Sequence, residues 1–508
     1  MSNFYPAATA VQRVMTVGAI LCLLVACSSD DISNSGSAAN SRTATSQTAF
    51  ENVKATSSCS EGDQPETGIQ GRVSIEDRTS GRSQDGYNCN LKRIGQYQGE
   101  GSTWVNPSFK NCAYMATSFS GIPTKKMQGV QVIDVSDTQN PKFVKSLDSI
   151  AFLQGTWESL KVNEKRQLLG GVAGGPIESA GFFDVYDISG DCTQPKLLNG
   201  IAGSKLTLPV NLLGHEGNFS PDGNTYWATS SAGGSITAID IKNPAKPRPV
   251  FIGNSLFPNH GFSFNADGTR MYLTTAGPSG VLILDVSSIQ NRDLIPLAKP
   301  VGSVFWLDGA ISQHTIPVQI KGKPHLIVVD EFGTGATRFV DISDETAPKV
   351  VSKIRLEIQR AEYADKRRAD LGNNGLFGYE AHYCEVDRPV DPQALACGYF
   401  QSGVRVFDIR DPLKPKEIAY YNPPAQAANR AILQGSEHVI SRAGVGPSLS
   451  DAQNLGIGIP TQLRTNADLS TDWCTSPPRF VDNQLWVVCQ DNGFMVLEFA
   501  KGVYPFAE

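Results

Sequence analysis

The feature that most constrains the fold of this chain is an apolar run closed by an acidic residue, which recurs seven times. The closing acids lie 45 to 90 residues apart, and most of the intervals are near 50. Short strand-like segments that repeat at this period indicate a propeller or a related array. The seven copies are residues 130–134, 183–187, 236–240, 281–285, 337–341, 404–408 and 494–498.

The repeat that begins at His260 shows the content of one unit most clearly. A first strand is followed by an Asp267-Gly268 turn, a second strand and a third strand that ends at Asp285. Other repeats add a fourth strand after a proline such as Pro141, which suits an outer strand because the missing N–H need not join a ladder. Four short antiparallel strands repeated seven times predict an all-β fold, a seven-bladed β-propeller.

The closing acid is interpreted as a structural residue, because its carboxylate can accept backbone N–H groups in the turn that follows. The seventh repeat ends without a good fourth strand, and residues 91–97 resemble the isolated fourth strands of other repeats. We therefore expect this N-terminal strand to complete the last blade, which would leave no open sheet edge at the seam of the ring.

The seven apolar-acid runs and the Pro-Lys pairs that follow them resemble the LVIVD-repeat family over residues of about 90 to 508. The resemblance implies a seven-bladed propeller of the kind found in bacterial secreted or surface lipoproteins. It implies no particular activity, since most members of that family have none assigned.

Residues 1–27 have the features of a bacterial lipoprotein signal peptide. Arg13 precedes an apolar stretch, residues 14–25, that is too short to span a membrane. Residues 24–27 read Leu-Val-Ala-Cys, which resembles a lipobox and implies lipid attachment at Cys27. An ordinary signal peptide cleaved nearby is the alternative. Ser28 after the anchor favours the outer membrane, with the protein facing the periplasm or the cell surface.

Residues 28–88 are predicted to be a disordered tether and a lead-in to the propeller, because the stretch up to residue 58 has few large apolar side chains. The propeller is predicted over residues 89–508, with insertions at 355–380 and 421–472. Charged residues and helix formers in the first insertion predict a short exposed helix at 356–371. Both insertions are expected on the face where ligands or partners of propellers bind.

The cysteine count agrees with export from the cytoplasm. Of ten cysteines, Cys22 leaves with the signal and Cys27 takes lipid, so an even number remains and predicts disulfides. A thiolate metal site is disfavoured because no tight CxxC spacing exists. The expected pairs are Cys384 with Cys397, Cys474 with Cys489, Cys59 with Cys89 and, by elimination, Cys112 with Cys192.

Four of the six histidines occupy one position of the repeat, at the start of a first strand. They precede the closing acid of their repeat by 25 to 27 residues, and they are His215, His260, His314 and His382. The other three repeats carry tryptophan there, namely Trp104, Trp157 and Trp473. First strands line the channel of a propeller, so these rings are expected to converge on the channel mouth, where ligands usually bind.

Two interpretations of this ring of His and Trp remain open. Imidazole binds zinc, copper, iron and nickel, so the histidines are candidate metal ligands. Nearby acids could support or join them, and these are Glu216, Asp330, Glu331 and Glu380. Alternatively, a position shared by His and Trp needs only a flat ring that packs on the next blade and donates an N–H to its backbone.

A net charge of −6 argues against nucleic-acid binding, and the chain has no phosphate-binding loop, GxSxG elbow or HExxH motif. The leading hypothesis is a membrane-anchored binding platform for a protein, a glycan or a small ligand. The alternative is a metal-dependent enzyme, an oxidoreductase or hydrolase that uses a transition metal ion at the histidines. A structural role in a surface assembly ranks third.

Overall fold

The computed structural model describes residues 58–117, 126–174, 179–201, 209–230, 233–333, 335–371, 377–429, 432–438 and 470–506. These residues form seven antiparallel sheets arranged as the blades of a β-propeller, which confirms the predicted fold. The predicted signal segment 1–27, the predicted lipid-attachment residue Cys27 and the predicted tether as far as residue 57 lie outside the described residues. Within the described part of the chain, no helix combines the length and the apolar character needed to cross a bilayer.

The strands follow one another around the ring in chain order, and each blade runs from an inner to an outer strand. Two strands, β1 (Tyr87–Cys89) and β2 (Leu91–Tyr97), precede blade 1. Blade 1 contains β3 (Ser108–Phe109), β4 (Cys112–Met115), β5 (Val130–Asp134) and β6 (Lys142–Leu147). Blade 2 contains β7 (Lys161–Asn163), β8 (Leu168–Val172), β9 (Ser179–Asp187) and β10 (Lys196–Leu197), and β11 (Pro209–Gly214) also pairs with β9.

The next three blades are regular four-stranded sheets. Blade 3 contains β12 (Gly217–Phe219), β13 (Thr225–Thr229), β14 (Ser235–Asp240) and β15 (Arg248–Asn254). Blade 4 contains β16 (Asn259–Phe264), β17 (Arg270–Ala276), β18 (Ser279–Asp285) and β19 (Lys299–Trp306). Blade 5 contains β20 (Gly309–Ile320), β21 (Lys323–Gly333), β22 (Thr337–Asp341) and β23 (Lys349–Ile354).

The last two blades each recruit a strand from the N-terminal part of the chain. Blade 6 contains β24 (Ala381–Val386), β25 (Ala394–Tyr399), β26 (Gly403–Asp408) and β27 (Lys416–Asn422), with β1 added outside β27. Blade 7 contains β28 (Arg479–Val481), β29 (Gln484–Cys489) and β30 (Gly493–Phe499), and β2 is its outer strand. In the β2–β30 pair Leu91 lies opposite Phe499 and Tyr97 opposite Phe494, which confirms the predicted closure.

Neighbouring blades bury the apolar faces of their middle strands against each other. Val281 and Ile283 of β18 belong to the same buried cluster as Leu326 and Val328 of β21, and each of the four is at most 1% exposed. Burying a side chain of this size contributes roughly 1.5–3 kcal/mol. No blade could bury both of its faces alone, so the ring holds together through contacts of this kind.

The acid that closes the third strand has the structural role expected of it. In six blades its carboxylate accepts the backbone N–H two residues further on, at 2.8–3.1 Å. The six residues are Asp134, Asp187, Asp240, Asp285, Asp341 and Asp408. The bond closes the turn that leads towards the outer strand, and it explains why a short side-chain acid recurs at this position.

The segment from residue 58 to residue 90 packs on blade 6. It contains a helix, Ile75–Ser80, a 3₁₀ turn, Arg82–Gln84, and strand β1. Glu66 pairs with the guanidinium of Arg405, which also donates to Glu417 Oε1 at 2.9 Å, and these three groups are buried together. Part of the stretch predicted as tether and lead-in is therefore a folded component of the propeller.

All four expected disulfides are formed, which confirms the prediction from the cysteine count. Cys384 and Cys397 join adjacent strands of blade 6, and their Cα atoms are 4.0 Å apart. Cys489 of β29 bonds Cys474, which precedes β28. The other two bonds are Cys59–Cys89 and Cys112–Cys192.

The insertion at 355–380 differs from the single helix expected at 356–371. Two 3₁₀ turns, Glu357–Gln359 and Ala361–Tyr363, come first, and only Ala364–Leu371 is α-helical. Leu356 and Ile358 are fully buried, so this part of the insertion packs against the propeller and does not form part of an exposed helix. Two further short helices are Ile150–Leu153 and Ser287–Gln290. Most of the second insertion, including residues 439–469, lies outside the described residues.

Candidate functional site

Five side chains from five consecutive blades meet at the start of the inner strands. His215 precedes β12, His260 lies in β16 and His382 lies in β24. Glu158 comes just before β7, and Glu331 belongs to β21, the second strand of blade 5. We call these five residues the His/Glu cluster, and none of them is more than 7% exposed.

Glu158 is at the centre of the His/Glu cluster. Its Oε2 lies 3.4 Å from His215 Nε2 and 3.6 Å from His260 Nε2, and these two nitrogens are 3.1 Å apart. Its other oxygen, Oε1, lies 2.9 Å from His382 Nε2. One carboxylate thus faces three imidazoles, although they come from three different blades.

Glu331 approaches two of the same rings from blade 5. Its Oε1 lies 3.5 Å from His382 Nε2, and its Oε2 lies 3.8 Å from His260 Nε2. The two carboxylates and three imidazoles offer only their Nε2 and oxygen atoms to the middle of the cluster. This is a set of donor atoms that first-row transition metals bind.

Backbone carbonyls of the next blade orient two of the rings. His382 Nδ1 is 2.7 Å from the carbonyl oxygen of Thr475, and His260 Nδ1 is 3.2 Å from that of Gln313. A carbonyl can only accept, so Nδ1 carries the proton in both rings and Nε2 of a neutral ring is left with its lone pair. Metal-binding histidines are commonly held in this way.

The charges of the His/Glu cluster stabilise one another. Burial disfavours the charged imidazolium, but Glu158 and nearby acids outweigh it and raise the pKa of His260 to about 9 and that of His382 to about 10. Burial would likewise raise the pKa of Glu158, yet the two histidines hold it well below its usual value. Without a metal, the site is a buried network of carboxylates and imidazolium ions.

His314, the fourth histidine of the repeat, is not part of the cluster. Its Nδ1 lies 2.7 Å from Gln313 Oε1, and its Nε2 accepts the backbone N–H of Cys384 at 3.3 Å. The ring stacks on Tyr383, with centroids 4.6 Å apart. Burial and the positive charges of Lys161 and His382 lower its pKa to about 3. His314 is therefore a neutral ring that bridges two blades.

This environment gives His314 a measurable pH signature. The unfolded chain protonates the ring below pH of about 6.5, whereas the folded chain keeps it neutral down to pH of about 3. Unfolding thus takes up a proton in this window, and the free energy of unfolding falls by about 1.4 kcal/mol per pH unit as the pH falls. We expect His314→Gln to remove this contribution, measured as a shallower loss of stability between pH 6.5 and 4. Equal slopes for both proteins would contradict the assignment.

The three tryptophans of the repeat pack beside the His/Glu cluster, and the Trp157 ring lies 5.9 Å from that of His215. Trp104 is the centre of the group, and its ring centroid is 4.9 Å from Trp157, 6.4 Å from Trp473 and 5.0 Å from His382. Trp104 and Trp473 are at most 3% exposed. They form an apolar wall that borders the His/Glu cluster and keeps water from one side of it.

The other acids singled out in the sequence have separate roles. Asp330 is buried against Trp306 Nε1, Ser312 and Arg338, and these contacts account for its oxygens. Glu380 accepts the N–H of Gly378 at 2.7 Å, and burial raises its pKa to about 7. Neither residue is among the donors of the cluster.

Glu216 lies behind His260. Its Oε2 is 3.3 Å from His260 Nδ1, and its Oε1 is 3.6 Å from Lys161 Nζ. A Cβ atom on Gly261 would come within 2.3 Å of Glu216 Oε2, so the glycine provides the space for this carboxylate. Glu216 therefore positions His260 and contacts the cluster from outside.

Sequence reasoning missed Glu158, the residue with the most contacts in the cluster. A signal for it did exist, because Trp157-Glu158 occupies the place in its repeat that His215-Glu216 occupies in the next. The backbones of Glu158 and Glu216 form a parallel bridge, which confirms that the two positions are neighbours across the blades.

A second group of buried polar residues, His438, Asp472 and Asp491, lies beyond Trp473. His438 Nδ1 is 2.8 Å from Asp491 Oδ2, and the ring stacks on Trp473 with centroids 4.2 Å apart. Asp472 accepts four N–H groups at 2.6–2.9 Å, from the backbone of Trp473, Asp491 and Asn492 and from the side chain of Asn492. Its lone pairs are occupied, so this group anchors the inserted segment 432–438.

Comparisons with known proteins add no activity to this geometry. No family model matches the chain, so membership of the LVIVD-repeat family stays a prediction, and no curated protein matches it either. Among solved structures, a 6-phosphogluconolactonase candidate from Bacteroides uniformis is 12% identical, with a TM-score of 0.45, over 61% of this chain and 82% of its own. A periplasmic gluconolactonase from Pseudomonas aeruginosa is 11% identical, with a TM-score of 0.44, over 62% and 83%. Likenesses of this size carry no functional argument.

Proposed function

We propose that this chain is a metal-dependent enzyme that holds a divalent first-row transition metal at the His/Glu cluster. The observation that carries the proposal is the triangle of His215 Nε2, His260 Nε2 and Glu158 Oε2, with sides of 3.1, 3.4 and 3.6 Å. Ligand atoms placed tetrahedrally at about 2.0–2.1 Å from one ion lie about 3.3 Å from each other. The triangle has the size of one face of such a tetrahedron.

The hydrogen bonding of the cluster supports the same proposal. Glu158 Oε2 and His382 Nε2 are buried, and their ion-pair contacts at 2.9–3.6 Å are not aligned as hydrogen bonds. Two imidazole Nε2 atoms 3.1 Å apart can share at most one proton between them. Buried polar atoms are normally satisfied, and unsatisfied ones are often explained by an ion or a water. A cation at this triangle would satisfy Glu158 Oε2 and the two Nε2 atoms together.

The chemistry that such a site could perform follows from its ligands. When bound, an ion of this type acts as a Lewis acid and lowers the pKa of a bound water to about 7. The residues of this chain would hold the ion, fix the imidazole orientation through Thr475 and Gln313, and exclude water on the Trp104 side. Both hydrolases and oxidoreductases use imidazole and carboxylate ligands, and we propose one of these two classes.

Two observations favour an enzyme over a binding platform. Trp104 and Trp473 are buried against other rings, so they offer little surface to a large partner. His215 and Glu331 are the most exposed members of the cluster, at 7% and 6%, so the cluster offers room to a small ligand at most. A platform for a protein or glycan stays a prediction from the sequence.

The proposal places the enzyme outside the cytoplasm, attached to the outer membrane through Cys27. The four disulfides support an oxidising compartment, because such bonds are rare in the cytosol. Cell fractionation is the test of the anchor. We expect Cys27→Ala to leave the membrane fraction, and a processed protein that stays there would exclude lipid attachment at this residue.

Metal analysis of the purified full-length chain tests the proposed function. After removal of metal with a chelator and dialysis against Zn²⁺ or Mn²⁺, we expect tight retention of metal by the protein. His314→Gln is the matched control, because this histidine occupies the same repeat position but lies outside the cluster, and it should retain as much metal as the wild type. A wild-type protein that retains none would exclude a metal-dependent enzyme.

A further inference from the structure

The two carboxylates of the His/Glu cluster each direct their two oxygens at different histidines. We propose that the cluster binds two metal ions, bridged by Glu158, with one ion near His215 and His260 and the other near His382 and Glu331. This inference rests on the proposed function and extends it, because a site for two ions differs from a site for one in stoichiometry, in magnetic behaviour and in chemistry.

Glu158 shows the division most directly. Its Oε2 faces His215 and His260 at 3.4 and 3.6 Å, whereas its Oε1 faces His382 at 2.9 Å. If all three imidazoles served one ion, they would be expected to gather around one oxygen of the carboxylate. Instead the rings divide between its two oxygens, which is the arrangement of a bridging carboxylate.

Glu331 repeats the division in the same sense. Its Oε2 is directed at His260, at 3.8 Å, and its Oε1 at His382, at 3.5 Å. Glu331 therefore lies between His260 and His382, on the same division that Glu158 shows. Glu158 comes from blade 2 and Glu331 from blade 5, so the agreement is not imposed by the local structure of one strand.

The donor atoms form two sets when distance alone is considered. Glu158, His215 and His260 offer atoms within 4.8 Å of one another, and so do Glu158, Glu331 and His382. A single ion with bonds of about 2.1 Å can hold only ligand atoms that lie at most about 4.2 Å from each other. The two sets do not combine within 4.8 Å, so one ion cannot hold all of these donors. Two sets that share a carboxylate match paired ions about 3.5–4 Å apart, as two-metal enzymes have them.

Each of the two positions would have three protein ligands. The first would have His215, His260 and Glu158 Oε2, and the second would have His382 and one oxygen each from Glu158 and Glu331. Each would keep a position for water or substrate, since sites with three protein ligands are typical of catalytic ions.

The charge balance of the site indicates that a second metal ion would be accompanied by an anion. With neutral imidazoles, the three acids Glu158, Glu216 and Glu331 and the cation Lys161 sum to a charge of −2, which one divalent ion neutralises. A second ion adds two positive charges inside a buried site. An anion must offset them, so the pair favours a hydroxide from water and a substrate that is itself an anion.

Manganese loading of the full-length chain tests the proposal. We expect the metal-free protein to take up two Mn²⁺ per chain by mass spectrometry, and its electron paramagnetic resonance spectrum to show exchange coupling between neighbouring ions. His382→Ala should reduce the content to one ion per chain and convert the spectrum to that of isolated Mn²⁺. His314→Gln, outside the cluster, should behave as the wild type does.

The outcomes separate the proposal from the function on which it rests. One Mn²⁺ per chain in the wild type would overturn the two-ion site and leave the metal-dependent enzyme standing, whereas none would overturn both. Two ions without exchange coupling would also overturn it, because the second ion would then lie elsewhere, for example at His438. If His382→Ala does not fold, the wild-type stoichiometry and spectrum still decide between these outcomes.

Discussion

Glu158→Gln is expected to abolish metal binding while leaving the propeller folded. The amide has the size of the carboxylate but no charge, so both proposed positions lose an anionic ligand at once. Removing one partner from a buried, paired set of charges costs about 3–5 kcal/mol. At about 1.4 kcal/mol per tenfold change, the metal affinity should fall by at least about a hundredfold. Isothermal titration of the metal-free protein with Zn²⁺ measures this loss.

The matched control for Glu158→Gln is Glu164→Gln. Glu164 is an acid of the same blade, but its side chain is 69% exposed and pairs with Arg479 at 3.7 Å. We expect this variant to bind metal as the wild type does. The proposed role of Glu158 would have to be abandoned if the two variants bound Zn²⁺ equally well, provided that circular dichroism shows both to be folded.

Deletion of residues 28–98 is expected to prevent the propeller from folding as a soluble monomer. It removes β2, whose Leu91 is fully buried and whose loss exposes the edge of β30 to pairing with other chains. It also removes Glu66, which leaves the buried Arg405 with Glu417 as its remaining acid. Size-exclusion chromatography and thermal unfolding measure the effect, which should be aggregation instead of a shift in melting temperature.

Deletion of residues 28–57 is the control for the longer deletion, because it leaves β1, β2, Glu66 and the Cys59–Cys89 bond in place. We expect this protein to melt at the wild-type temperature. Equal solubility and stability of the two truncated proteins would show that the ring closes without β2.

Much of the architecture could be predicted because its signals are local and repeated. An apolar run, a turn and a closing acid recur within each unit, and seven copies average out the irregularity of any one. The closing strand was predictable for the same reason, since residues 91–97 look like a fourth strand wherever they stand in the chain. The extent of the helix at 364–371 was not, because Leu356 and Ile358 are buried by contacts with distant residues.

The candidate site was predictable in position but not in composition. Equivalent positions in a ring lie at one height, so the repeat predicted that His215, His260 and His382 converge, and in the structure all three rings face Glu158. The repeat predicts the same place for His314, but the backbone N–H of Cys384 donates to its Nε2, so this nitrogen does not face the cluster. Side-chain direction depends on partners 70 residues away, and no local pattern records it.

By itself, the sequence determined the seven blades and their closure, because both follow from periodicity and from strands that are adjacent by repetition. Only the tertiary structure decided which atoms meet in the channel mouth. Glu158 and His382 come from blades 2 and 6, and their contact at 2.9 Å exists because the ring curves back on itself. The division of two carboxylates between two sets of imidazoles is a matter of ångströms and angles, which only the packing of all the blades can determine.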